Sequence, residues 1–95
     1  MTKDQLAELD KIMNGYSVDY RIDVTKQYWI MEARAIHLGI NIKEIRVAGF
    51  KHDEESLVVV VDGDKDYIAA LDMHLVNVQE SNKFKHKLKL EVYND

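Results

Sequence analysis

The chain has 95 residues, no cysteine and no proline, with 46% hydrophobic and 32% charged side chains. That length and mix close one core without staples but leave no room for a second domain and a cleft between the two, so residues 1–95 read as a single domain. The absence of cysteine excludes disulfide scaffolds, thiolate zinc sites and thiol nucleophiles, and no cofactor is expected.

The opening residues carry no apolar leader, and the longest aliphatic run, residues 57–61, is far below membrane-spanning length. A soluble, cytoplasmic protein is expected. Charge is uneven: residues 1–47 hold seven acids and seven bases, residues 48–82 eight acids and two bases, and residues 83–95 four lysines and two acids. A formal net charge of −4 repels a phosphate backbone at long range, which makes nucleic-acid binding the weaker expectation.

Thr2 and Gln5 have the spacing of a capping box, and Leu6, Leu9, Ile12 and Met13 follow at helical period, so a first helix ends at Asn14-Gly15 with a left-handed stop. From residue 16 the period changes. Tyr16, Val18, Tyr20, Ile22 and Val24 alternate with polar residues, which predicts a half-buried strand over 16–24. Thr25 then caps a second helix that ends at Gly39. Lys26, Gln27, Arg34 and His37 share its polar side, and Tyr28, Trp29, Met31, Ala35, Ile36 and Leu38 fill the side that packs on a sheet.

Residues 43–50 and 56–62 read as a hairpin joined by the polar loop 51–55. The valines at 58–61 are apolar on both faces, which marks a central strand covered on each side or a face used for association. After Asp62-Gly63, a helix over 64–73 capped by Asp64 or Asp66 places Tyr67, Ile68, Leu71 and Leu75 on one stripe. Ala69-Ala70 favour that helix over a strand, and residues 75–79 and 84–93 close the chain as strands. The order is a helix, then βαββαβ, then β: an α+β domain with a ferredoxin-like core, an antiparallel sheet with helices on one face, an extra N-terminal helix and an extra C-terminal strand.

If residues 64–73 form a strand instead, the fold becomes a small Sm-like or SH3-like barrel with helices. Residues 58–63 leading into Asp72-Met73-His74-Leu75-Val76 resemble the strand-turn-strand pattern of Sm-like RNA-binding proteins. They depart from it in lacking the glycine of the second strand and the asparagine after Met73.

No reactive constellation emerges. Asp62, Asp64 and Asp66 imitate the start of a calcium loop, but Tyr67 stands where that loop needs glycine and Met73 where it needs a bidentate glutamate, so no metal is expected. Glu32 falls inside the apolar arc of its helix, where a carboxylate needs a partner. The four histidines have no ligand spacing, and His86 sits on the apolar face of the last strand. The chain is therefore expected to be non-enzymatic.

The expected function is protein binding, as an adaptor, regulator or inhibitor working through an acidic surface on a partner with a basic one. Asp53, Glu54, Glu55, Asp62, Asp64 and Asp66 are its candidate contacts. By analogy alone, phages and other mobile elements encode small acidic proteins of this kind against host nucleic-acid-binding or defence proteins. The alternative is RNA binding through Lys83, Lys85, Lys87 and Lys89 on the last strand. A homodimer built on the valine strand, if that strand lies at a sheet edge, is a third expectation.

Overall fold

The computed structural model describes residues 2–51 and 54–94, with side chains left undescribed at 47–51, 54 and 55. The elements run α1 (Lys3–Met13), α2 (Val18–Leu38), β1 (Asn41–Lys51), β2 (Glu54–Asp62), α3 (Lys65–Asn82) and β3 (Lys87–Val92). The three strands form one mixed sheet in the order β1-β2-β3, with β1 antiparallel and β3 parallel to the central β2.

The predicted α+β class holds, and the ferredoxin-like order is replaced by ααββαβ. The strand predicted at 16–24 is the first part of α2, capped by the Ser17 hydroxyl, which accepts from the Tyr20 amide at 3.2 Å, and not by Thr25. Tyr20 and Val24 fit alternation, but they also open the helical series Tyr20, Val24, Gln27, Met31, Ala35, all buried. No glycine or proline interrupts it, so the longer period wins. For the same reason residues 75–79 continue α3. Ile68, Leu71, Leu75 and Gln79 form one buried stripe, and the barrel alternative falls with it.

Other local signals act as expected. The Thr2–Gln5 capping box closes in both directions. Gly39 ends α2 at φ +70°, where a side chain would be strained. At the end of α1, however, Asn14 stays right-handed and Gly15 has no positive φ. The hairpin forms with strands longer than predicted, since Lys51 pairs with Glu54.

Leu57, Val59 and Val61 join Leu9, Met13, Tyr28, Leu71 and others in one core, so all three helices lie on the same face of the sheet. Val58 and Val60 face the other way, where no helix covers them, yet they are only 9% and 6% exposed. Their cross-strand neighbours are Arg46, Lys89, Glu44 and Glu91, and an Arg46–Glu91 ion pair spans the central strand above them. Charged side-chain stems thus supply the second cover. Because β2 is central, the expected association through a valine edge has no edge to use.

Gln27 was expected on the polar side of its helix, but it is fully buried. Its Nε2 donates to the His86 carbonyl at 2.7 Å and its Oε1 accepts from the Leu88 amide at 2.9 Å. Gln79 Nε2 donates to the Leu88 carbonyl at 2.8 Å and to Gln27 Oε1 at 2.9 Å. One turn earlier on α2, Asp23 accepts from the His86 amide at 3.4 Å. Both outward-pointing backbone groups of His86 and of Leu88 therefore have side-chain partners. On the other edge, Gln5 donates to the Ile42 carbonyl at 2.7 Å and docks α1 on β1.

Two stability outcomes follow. Gln27→Leu keeps the size of the side chain but strands the Leu88 amide and the His86 carbonyl, and should cost about 2–4 kcal/mol in urea unfolding. A loss under about 1 kcal/mol would mean that water replaces the amide. Lys83 ends α3 at φ +54°, a region that suits glycine. Lys83→Gly should raise stability by roughly 0.5–1 kcal/mol in the same measurement.

Candidate functional site

The acidic candidates do not converge. Asp62, Asp64 and Asp66 lie together at the β2–α3 junction, whereas Glu54 begins the same strand, roughly 26 Å away at strand rise. Asp53 lies outside the described residues. Asp62 faces Lys43 at 3.6 Å, and the Asp64 carboxylate caps α3, accepting from the amides of Asp66 and Tyr67 at 2.8 and 3.3 Å.

The lysine ladder is also broken. Lys83 is the C-cap of α3, Lys85 precedes the strand, and only Lys87 and Lys89 lie on β3. They share the uncovered sheet face with Arg46, but Glu44 and Glu91 stand on that face too, and Glu91 pairs with Arg46. A phosphate backbone laid there would meet both signs.

Glu32 is buried on the apolar arc, as its place on the helical wheel implied. Arg46 points to the opposite face of the sheet, toward Glu91. One turn before Glu32, the Tyr28 ring is fully buried, and its hydroxyl has no hydrogen-bond partner among the described residues. Burial, and then the Glu32 charge, push the Tyr28 phenol up to about 12. No group of three or more acidic or histidine side chains is placed to hold a metal among the described residues. His86 is buried with its ring edge-on to Tyr20 at 5.3 Å.

The feature that sequence reasoning missed lies on the solvent side of α2. Val18, Ile22, Trp29 and Ile36 fall within about 40° of one another around the helix. Val18 is 64% exposed, Trp29 51% and Ile36 72%. α2 is held down by Tyr20, Val24, Gln27 and Met31, which leaves this stripe outward. The Trp29 indole stands edge-on to the buried Tyr28 ring, with centroids 6.4 Å apart and planes at 86°.

α1 packs on β1, while α2 packs on α3 and β3. Between α1 and α2 runs an open groove of about 670 Å³, with Leu9 and Met13 at its base and Leu6, Val18, Ile22 and Trp29 along its walls. A second hollow of about 510 Å³, bounded by Ile30 and Phe84, shares Lys26 and Trp29 with the first. The sequence signal was available: the 18-22-29-36 spacing is a second apolar stripe, distinct from 20-24-31-35. A strand over residues 16–24 hides it, because the two-residue period puts Val18 and Ile22 on the same side as Tyr20 and Val24.

Comparison with known proteins finds no matching protein family, no similar curated protein and no similar solved structure. No helix among the described residues is long and apolar enough to cross a membrane.

The Tyr28 phenol supplies a pH test. The folded chain holds this proton more tightly than an unfolded chain, whose tyrosine titrates near 10. The contribution is therefore complete below about pH 10 and fades as pH rises toward about 12. In alkaline titration followed by tyrosinate absorbance, Tyr28→Phe should remove one phenol that titrates near 12, and it should reduce the loss of stability across that window. A wild-type curve with every tyrosine titrating near 10 would place Tyr28 in water.

Proposed function

We propose that this chain is a non-enzymatic protein-binding module that meets its partner through the α1–α2 face. The supporting observation is the aligned apolar stripe Val18, Ile22, Trp29 and Ile36, of which the first three line the groove between the helices. Scattered single apolar residues on a surface are ordinary. An aligned row of large ones beside an apolar hollow is the usual mark of an interaction site, since full burial of such a side chain is worth about 1.5–3 kcal/mol. A half-exposed tryptophan braced by a buried ring is the residue type that dominates binding energy at interfaces.

The dispersed acids give this face no competitor of equal coherence. Asp62 and Asp64 already have partners within the fold, and Glu54 lies at the other end of the strand. An adaptor, regulator or inhibitor role fits a protein that acts by occupying a partner's surface.

The test is affinity capture from the native cell extract with three baits: the intact chain, Trp29→Ser with Ile22→Asp, and Asp53→Lys with Glu54→Lys and Glu55→Lys. Circular dichroism should show all three folded, since the helix positions changed are exposed. A protein retained by the intact chain and by the loop variant, but reduced at least about tenfold on the helix variant, is expected. Loss on the loop variant alone would move the contact to the acidic hairpin tip. Recovery of RNA in place of protein, abolished by Lys87→Glu with Lys89→Glu, would favour the basic strand.

A further inference from the structure

Resting on the protein-binding reading, we infer that the α1–α2 groove receives an amphipathic helical segment of a partner protein, apolar on one side and acidic along its flanks. The shape argument comes from the helical layer. α1 is tied to β1 through Gln5, and α2 is tied to β3 through Gln27, so the two helices are held to different strands with a trough between them. Its base is apolar, at Leu9 and Met13, and its walls carry Leu6, Val18, Ile22 and Trp29. An apolar trough of this kind takes a helix that presents anchors at one-turn intervals.

The charge argument fixes the flanks. Arg21 and Lys26 border the trough from α2, and Lys83 borders the adjoining hollow that shares Lys26 and Trp29. Two acids lie among the same lining residues, Asp10 and Asp23. The Asp23 carboxylate accepts from the His86 amide and keeps its charge, so three cations face two acids over both hollows, and in the trough itself Arg21 and Lys26 face Asp10 alone. This excess is local to a chain whose formal charge is −4.

The acidic tip does not cancel it. Gly63, between Asp62 and Asp64, lies against Ile40 just beyond the end of α2. Trp29 lies 11 residues earlier, roughly 16 Å along the helix. That exceeds the screening length of about 8 Å at physiological salt, so the lip charges govern contact in the groove.

Trp29 is the only tryptophan in the chain, and its emission reports the groove directly. The probes are two synthetic 18-residue peptides with the same leucine stripe, one with glutamates and one with lysines along its flanks. The glutamate peptide should shift Trp29 emission to the blue with a Kd on the order of 100 µM or tighter. Binding should weaken about tenfold in Arg21→Glu with Lys26→Glu, and at least as much in Ile22→Asp, while the lysine peptide binds at least about tenfold more weakly than the glutamate peptide.

Unfolding midpoints of both variants close to that of the intact chain separate lost binding from lost fold. Equal binding of the two peptides would overturn the acidic occupant and leave the protein-binding reading standing. Silence with both would overturn the helical occupant, and the capture experiment then judges the broader reading on its own. A blue shift that grows with the concentration of the chain alone would assign the groove to a second copy. A shift produced by a polyuridine RNA would overturn both readings.

Discussion

The structure depends on a match of two repeat lengths. Four residues of α-helix rise about 6.0 Å, and two residues of strand rise about 6.6 Å, so side chains one helical turn apart can address every second residue of an adjacent strand. Asp23 and Gln27 do this to His86 and Leu88, and Gln79 completes the set from α3. An amide in this position must be fully satisfied to be tolerated in the core, and Gln27 Oε1 takes two donors while its Nε2 also reaches the Asp23 carbonyl at 3.0 Å. The contact fixes the rotation of α2 on the sheet. Once Gln27 points at β3, the stripe from Val18 to Ile36 can only point away.

Features carried by one or two neighbouring residues were legible in the sequence. Thr2 and Gln5 announce a cap, Gly39 marks a left-handed end, and residues 57–61 read as a central strand, because each rests on local sterics or on hydrophobicity alone. Residues 16–24 were misread because Tyr20 and Val24 satisfy both the two-residue and the four-residue period within so short a window. Only the continuation through Gln27, Met31 and Ala35 separates them, and Gln27 is the residue that a polarity scale assigns to the wrong side. Residues 75–79 failed in the same way, with Gln79 buried at the end of a helical stripe. In both cases a side-chain hydrogen bond to the β3 backbone reverses the apparent preference of a polar side chain.

The candidate site was less legible than the fold. Charge can be counted along a chain, but whether an acid is available depends on the elements around it: Asp64 is engaged in capping and Asp62 faces Lys43. The four lysines look like one ladder only while residues 84–93 are drawn as a single strand. Once β3 begins at Lys87, two of them leave the sheet. Trp29 and Ile36 were read as core because they lie on an amphipathic helix, and their exposure follows from the depth at which Gln27 seats α2.

The side-chain amides on β3 also bear on how the molecule resists polymerisation. A bare strand margin is a template on which another chain can add, and repeated addition leads to cross-β growth. With the free backbone groups of His86 and Leu88 already bonded, an incoming strand would first have to evict Gln27 and Gln79 from the interior. Templating on this side is therefore confined to the stretch of β3 beyond Leu88. Two glutamines do here what a fourth strand does in a wider sheet.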